Sequence, residues 1–199
     1  MSKKAILYTA FFAGLILAFY FSVRKYIVRK DTISIVKPYS FVTQDGKPFT
    51  NADVEGKIHV VEYFFTTCPG ICPTMNQNMR KVYDRFKNEK NFLILSHTCD
   101  PENDTVEQLK YYADSMQVDT DKWVFLTGRK DSLYSAARLS YTIDDPANNL
   151  RNIDDDFLHT QFWALVNEKG EVKRIYDGLL PSEINQMMSD IEAMLKLLN

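Results

Sequence analysis

Residues 59–86, HVVEYFFTTCPGICPTMNQNMRKVYDRF, decide how this chain is organised. Residues 59–65 form a short apolar run that is typical of a buried strand, and residues 74–86 carry apolar side chains at helical spacing. Cys68 and Cys72 lie four residues apart between these two segments. The stretch therefore predicts a strand, a turn with two cysteines, and a helix. The helix dipole and the free N–H groups at the start of that helix are expected to lower the pKa of both thiols.

A pair of cysteines can bind a metal ion or form a redox-active disulfide, and the spacing of this pair is compatible with both functions. As thiolates, Cys68 and Cys72 suit a soft metal ion such as Cu(I). As a disulfide they would close a small loop, which keeps redox exchange accessible. A purely structural pair of buried thiols is disfavoured, because Pro69 and Pro73 frame a turn at a junction between strand and helix.

Strands and helices alternate along the rest of the chain. Strands are predicted at 41–50 (a hairpin), 59–65, 92–96, 123–126, 162–166 and 172–176. Helices are predicted at 74–86, 105–116 and 131–139, and from 181 onward, with a polar surface loop at 142–157. Thr105 and Gln108 have the spacing of a capping box. The pattern predicts an α/β fold with a central mixed sheet flanked by helices, and with the cysteines at the end of a central strand.

An apolar segment of 18 residues without charge occupies positions 5–22. Its length is close to the minimum for crossing the hydrocarbon core of a membrane. We expect a single uncleaved transmembrane helix, with a cleaved signal peptide as the alternative. No cysteine follows the segment directly, so a lipid anchor is not expected. Residues 1–30 are predicted to be the anchor and stalk, and residues 31–199 the folded domain, with stalk character extending over 23–37.

Composition excludes one class of function. The formal net charge is -2, and no basic stripe with interleaved aromatic residues is present, so nucleic-acid binding is not expected. Basic residues are more numerous after the apolar segment than before it, and this alone would favour a cytoplasmic domain. The three cysteines are too few for a disulfide framework and suit one working pair with a further thiol.

Four segments together resemble the Sco/SenC family of thioredoxin-like copper proteins. They are FFTTCPGICPTMNQNM at 64–79, DPENDT at 100–105, FLTG at 125–128, and LHT leading into FWALVN at 158–167. Each is similar to a family segment, and they occur in the family's order. The resemblance covers the chain from about residue 41 to residue 195.

The resemblance implies a thioredoxin-like fold that binds copper, as Cu(I) or Cu(II), through Cys68, Cys72 and His159. It implies a role in the assembly of cytochrome c oxidase at the CuA site of subunit II. The implied partners are subunit II or a related copper protein, and a thiol reductant. It also implies a single-pass inner-membrane protein with its domain on the periplasmic side. We give this implication more weight than the distribution of basic residues around the apolar segment.

An enzyme is the alternative from a different class. In a membrane-anchored thiol-disulfide oxidoreductase, Cys68 would attack a partner disulfide and Cys72 would resolve the mixed disulfide. His159 would not be needed for this reaction. A peroxidase of related fold is disfavoured, because the sequence around the cysteines lacks the arrangement that surrounds a peroxidatic thiol.

The two other histidines are weaker candidates. His59 begins the strand that leads to the cysteines, so it is expected at the far end of that strand. His97 follows a strand that ends nearer the site and could at best support a metal ligand.

Four other residues and one acidic segment bear on the predicted site. Cys99 stands where the family resemblance predicts an apolar residue, and we expect a buried thiol, with disulfide exchange as the alternative. Asp100 is expected to orient the site or to take part in docking, with the shaping of a helix start as the alternative. Met75 and Met79 share a helix face with Cys72 and are interpreted as core residues. The acidic segment 144–156 leaves the shape of the loop before His159 open.

Overall fold

The computed structural model describes residues 3–29, 32–144 and 157–198. The chain divides into two compact units, Met1–Thr32 and Ile33–Asn199. The first unit contains helix α1 (Lys3–Arg29). Within it, Lys4–Phe21 is long and apolar enough to cross a membrane, and its large apolar side chains are exposed. The predicted apolar N-terminal helix is therefore present.

The second unit contains eight strands and four further α-helices among the described residues. The strands are β1 (Ser34–Ile35), β2 (Ser40–Thr43), β3 (Pro48–Thr50), β4 (Ile58–Phe64), β5 (Phe92–Thr98), β6 (Trp123–Thr127), β7 (Phe162–Val166) and β8 (Glu171–Asp177). The helices are α2 (Cys72–Phe86), α3 (Val106–Met116), α4 (Lys130–Ser135) and α5 (Pro181–Leu198). A 3₁₀ turn covers Asn51–Val54, and a π-helical turn (Ala136–Tyr141) continues α4.

All eight strands form one mixed sheet in the order β1-β8-β7-β4-β5-β6-β2-β3. The three central strands β4, β5 and β6 are parallel, and the other pairings are antiparallel. The predicted α/β fold with a central mixed sheet is confirmed. Strand β1 pairs with β8 inside the stretch that was predicted to be a stalk, so that prediction is wrong for Ser34 and Ile35.

Helices cover both faces of the sheet, because side chains alternate between the two faces along each buried strand. On the first face, α2, α3 and α5 pack over residues that include Val60, Ile94 and Trp123. On the second face, α4 and the π-helical turn pack over residues that include Val61 and Leu95. Met75 and Met79 are buried in the first cluster and so are core residues, as predicted.

Strand direction brings three loops to one edge of the sheet. Strands β4 and β5 run parallel and end at that edge, whereas β7 runs antiparallel to β4 and begins there. The loop after β4 carries both cysteines, the loop after β5 carries Asp100, and the segment before β7 carries His159. The topology therefore gathers the predicted site residues at the carboxyl end of β4.

Several boundaries differ from the prediction for identifiable reasons. Strand β5 continues to Thr98, because His97 is buried by aromatic packing, which a polarity pattern does not show. Helix α2 begins at Cys72, two residues before the predicted start, with Pro73 in its first turn, where proline is tolerated. The helix predicted at 131–139 divides into α4 and the π-helical turn. Most of the predicted loop at 142–157 lies outside the described residues.

One carboxyl group is buried in the first face of the sheet. Glu62 in the middle of β4 is fully buried and accepts a hydrogen bond from the Ser96 hydroxyl at 2.5 Å. Its other oxygen, Oε2, has no hydrogen-bond partner within the described residues. Burial raises the pKa of Glu62 from its usual 4.5 to about 7, and the Ser96 hydrogen bond offsets part of that rise.

Replacing Glu62 should change the pH dependence of stability. Between pH 4.5 and 7 the folded protein keeps the Glu62 proton while the unfolded chain releases it, so stability falls as pH rises. The loss should reach about 3 kcal/mol above pH 7. Glu62→Gln should abolish this loss and leave the variant more stable than wild type at pH 8. Denaturant unfolding followed by tryptophan fluorescence measures it, since Trp123 and Trp163 are both buried in the second unit.

Glu89→Gln is the matched control, because Glu89 is exposed. The free energy of unfolding of Glu89→Gln should equal that of wild type at every pH. Equal pH slopes for Glu62→Gln and wild type would contradict the raised pKa of Glu62.

Candidate metal centre

The two cysteines of the motif lie next to each other. Cys72 begins α2 and is buried, whereas Cys68 is half-buried and packs against the first core cluster. The Cys68 side chain is close enough to Cys72 to raise the pKa of that thiol. The Cys68 N–H donates to the Phe65 carbonyl at 3.2 Å, which tightens the turn between strand and helix. Both cysteines are free thiols, and they lie close together in the segment that joins β4 to α2.

The expectation that the helix N-terminus lowers both thiol pKa values is wrong for Cys72. Burial, the larger cause, and the interaction with the Cys68 side chain together raise the pKa of Cys72 to about 12. A hydrogen bond with the Phe65 backbone opposes this rise without reversing it. Removal of the thiol from water thus outweighs the helix dipole, and Cys72 is a neutral thiol in the metal-free protein.

A buried carboxylate fixes the cysteine loop to its neighbours. Asp104 is fully buried and accepts hydrogen bonds from the Thr66 backbone N–H at 3.2 Å and from the Thr66 hydroxyl at 2.5 Å. The Thr98 hydroxyl at the end of β5 donates to the same carboxylate. Asp104 therefore joins the cysteine loop, two residues before Cys68, to the end of the neighbouring strand.

The start of α3 adds to this attachment. Thr105 is the N-cap, and its hydroxyl accepts the Gln108 N–H at 3.3 Å, as predicted. The Gln108 side chain does not complete a capping box. Instead it donates to the Thr66 hydroxyl at 3.1 Å, so the helix start contacts the cysteine loop directly. Asp100 bonds within its own loop, where its side chain accepts from Asn103 at 2.9 Å, so it shapes the approach to α3.

His159 lies beside the cysteine loop with its side chain exposed. Its ring contacts the Phe157 ring at 4.7 Å and the Phe65 ring at 6.2 Å between centroids. Phe65 is three residues before Cys68, so the histidine stands next to the start of the cysteine loop. Within residues 3–29, 32–144 and 157–198, no three His, Cys, Asp or Glu side chains are already arranged to hold a metal ion. The structure thus places His159 beside Phe65, at the start of the loop that carries the two cysteines.

The other two histidines are buried inside the domain rather than exposed at the cysteine loop. His59 is buried near the start of β4, the end opposite the cysteines, as predicted. His97 is buried on the second face of the sheet, stacked on Tyr63 at 5.0 Å and edge-on to Phe41 at 5.2 Å. Burial lowers the pKa of His59 to about 4 and that of His97 to about 3. Both are neutral core residues at physiological pH.

Cys99 is a buried thiol on the second face of the sheet, where it packs with apolar residues. Burial raises the pKa of Cys99 well above the usual 9.0. The expectation of a buried apolar role for Cys99 is confirmed. Of the acidic segment 144–156, only Asp144 lies among the described residues, where it forms a buried ion pair with Arg138 at 2.7 Å.

Sequence reasoning did not single out the residues that fix these loops. Asp104 and Thr66 lie inside quoted motifs, but nothing in their spacing shows that they bond to each other. Tyr134, which bonds to both the β5 end and the His159 segment, lies in a helix without a motif. A tyrosine within an apolar helical pattern is the only signal it gives.

Comparisons with known proteins agree with this geometry. The family model described as SCO1/SenC matches residues 28–196. The SCO1 protein homolog of Bacillus subtilis (strain 168) is 29% identical over 162 residues, which cover 79% of this chain and 81% of that protein. A protein from Stutzerimonas stutzeri, named as a candidate copper-binding protein, is 29% identical over 136 residues, or 66% of this chain and 64% of that protein.

Solved structures show the same fold. One of them, BsSco, is described as a member of the Sco family of cytochrome c oxidase assembly proteins with a disulfide switch. It is 29% identical, has a TM-score of 0.70, and covers 84% of this chain and 97% of that chain. The predicted thioredoxin-like fold is thereby confirmed. Since the family model spans most of the sequence, this chain belongs to the SCO1/SenC family.

Proposed function

We propose that this protein is a copper-binding assembly factor that holds copper with Cys68, Cys72 and His159. The observation that carries the proposal is the pair of adjacent free thiols with an exposed imidazole next to their loop. Relatives support it, since one is named as a candidate copper-binding protein and a solved one is described as a cytochrome c oxidase assembly protein. The proposed client is the CuA site of cytochrome c oxidase subunit II, to which the protein supplies copper or whose thiols it prepares.

The donor set fits copper as a cargo. Two thiolates suit Cu(I), and an added imidazole nitrogen allows the same site to hold Cu(II). Because Cys72 is a neutral thiol in the metal-free protein, binding must displace its proton. Copper affinity therefore depends on pH. Copper should also dissociate more readily from this site than from one whose thiols are already ionised.

Exposure sets the order of ligand exchange in this proposal. His159 is exposed and Cys68 is half-buried, whereas Cys72 is only 6% exposed. Ligands of a partner protein can therefore replace His159 and Cys68 first, and Cys72 last. The exchange moves copper without leaving it free in solution, and no small-molecule turnover is required.

The apolar helix supports a membrane location. We place α1 as a single-pass anchor in the cell inner membrane with the folded domain on the periplasmic side, where the CuA domain of the proposed client would be reached. The supporting observation is the Lys4–Phe21 segment, which is long and apolar enough to cross a membrane.

A membrane-anchored thiol-disulfide oxidoreductase is the second candidate. The unequal exposure of the cysteine pair favours it, because an attacking thiol must be accessible and a resolving thiol can be buried. The solved relative with a described disulfide switch supports the same chemistry. In this function Cys68 attacks a partner disulfide, Cys72 resolves the mixed disulfide, and a thiol reductant restores both.

Copper titration of the full chain in detergent, reduced and anaerobic, tests the first proposal. We expect one tightly bound Cu(I) per chain, measured by competition with a chromogenic chelator. Cys68→Ser should abolish tight binding, because it removes one of two sulfurs. His159→Ala should weaken binding by at least about 100-fold, since even residues that only support a metal ligand cost about 10–100-fold when they are replaced.

Glu89→Ala is the control, because Glu89 is exposed in the turn after α2, at the end of that helix opposite Cys72. It should bind like wild type. Absence of specific binding by wild type, combined with disulfide reduction that His159→Ala leaves unchanged, would overturn the copper function in favour of the oxidoreductase.

Alkylation rates should differ strongly among the three cysteines. At pH 8, Cys68 should react with iodoacetamide first, because it is the most exposed of the three. Cys72 should react at least about 100-fold more slowly, since burial and a pKa of about 12 leave little thiolate. Cys99 should behave like Cys72. A mass-spectrometric time course on the metal-free full chain measures each rate.

Denatured protein supplies the reference, in which all three cysteines should react at similar rates. Faster labelling of Cys72 than of Cys68 in the native protein would contradict the assignment of Cys68 as the accessible thiol.

A further inference from the structure

A continuous chain of buried hydrogen bonds links the strand before the cysteines to the segment before β7. The Cys99 N–H donates to the Phe64 carbonyl at 2.7 Å, and the Tyr134 hydroxyl donates to the Cys99 carbonyl at 2.8 Å. The same hydroxyl accepts the Leu158 N–H at 3.1 Å. Phe64 ends β4, and Leu158 immediately precedes His159.

We propose that the Tyr134 hydroxyl positions His159 for its role at the cysteine pair. This inference rests on the proposed copper function, because it assigns Tyr134 to the placement of one proposed ligand. Tyr134 is a positioning residue, since its hydroxyl bonds to backbone groups on either side of the site.

The residues that form this chain of hydrogen bonds are all buried. Phe64, Cys99, Tyr134 and Leu158 are each at most 3% exposed, so water cannot replace the bonds that the hydroxyl makes. Loss of the hydroxyl would leave the Leu158 N–H and the Cys99 carbonyl without this partner in a dry environment. A buried polar group that loses its partner is strongly disfavoured, so the local backbone would move to find another.

The segment around His159 is held on both sides. Leu158 is held by Tyr134, and the Thr160 hydroxyl donates to the Ile143 carbonyl at 2.7 Å. His159 lies between these two attachments with its own side chain exposed. The backbone on both sides of His159 is therefore attached to the domain, while the imidazole remains accessible to solvent.

The ring of Tyr134 is held independently of its hydroxyl. The Arg138 guanidinium lies 5.4 Å from the ring centroid, and the Lys130 ammonium lies 5.7 Å from it. Arg138 also pairs with Asp144, where the described chain stops before resuming at residue 157. Phenylalanine at position 134 would retain the ring contacts, so Tyr134→Phe removes the hydroxyl alone.

Two readouts on the full chain in detergent test the inference. In the metal-free protein, Tyr134→Phe should speed hydrogen exchange of the Leu158 amide by at least about 10-fold, as expected for the loss of one buried hydrogen bond. It should also weaken Cu(I) binding by about 10-fold, within the range for residues that support a metal ligand. In a His159→Ala background, the effect of Tyr134→Phe on copper binding should disappear, because Tyr134 acts through His159.

Tyr63→Phe is the matched control. The Tyr63 hydroxyl is equally buried on the same face of the sheet, and it donates to the Leu133 carbonyl at 2.7 Å without bonding the His159 segment. Tyr63→Phe should leave both Leu158 exchange and copper affinity unchanged. Thr160→Val, which removes the attachment nearer the surface, should weaken copper binding in the same direction without altering the core.

The outcomes separate this inference from the proposed function. A wild-type protein that binds no copper overturns both. A wild-type protein that binds copper, with Leu158 exchange and copper affinity unchanged in Tyr134→Phe, overturns the role of Tyr134 alone. A copper defect in Tyr134→Phe that persists in the His159→Ala background also overturns it, because the hydroxyl would then act on general structure.

Discussion

The antiparallel pairing of β7 with β4 is the constraint on which the candidate site depends. Strand β4 ends at the cysteine loop, and β7 begins just after His159, so their opposite directions bring sulfur and imidazole to one edge. Strand β5 runs parallel to β4 and delivers Asp104 to the same edge. Residues that are distant in sequence thus meet through backbone pairing, and side-chain bonds then fix the loops in place.

At the candidate site, hydrogen bonds hold the loop backbones in place, whereas the side chains of the proposed ligands are held less firmly. Asp104 holds the cysteine loop through Thr66, and Tyr134 holds the segment before His159. The proposed ligands are held less firmly, because Cys72 is a neutral thiol and His159 is exposed. This arrangement fits the proposed transfer of copper to a partner, since a site of permanently charged, fully enclosed thiolates would release the metal slowly.

Much of the fold could be predicted from the sequence, because apolar runs and helical spacing report burial directly. The β4 to α2 junction, the Thr105 cap and β7 all follow from such local patterns. The raised pKa of Cys72 could not be predicted, since it depends on how deeply the first turn of α2 is buried. The roles of Glu62, Asp104 and Tyr134 were equally hidden, because each is defined by a partner on another element. The burial of His97 among aromatic rings on the second face of the sheet is a tertiary effect of the same kind.

X-ray absorption at the copper edge would identify the copper ligands. The full chain would be loaded with one equivalent of Cu(II) in detergent, beside a Cys99→Ala variant. We predict two sulfur scatterers and one imidazole nitrogen from the protein in both samples. A shell without sulfur, or a third sulfur that is lost in Cys99→Ala, would contradict a site made of Cys68, Cys72 and His159.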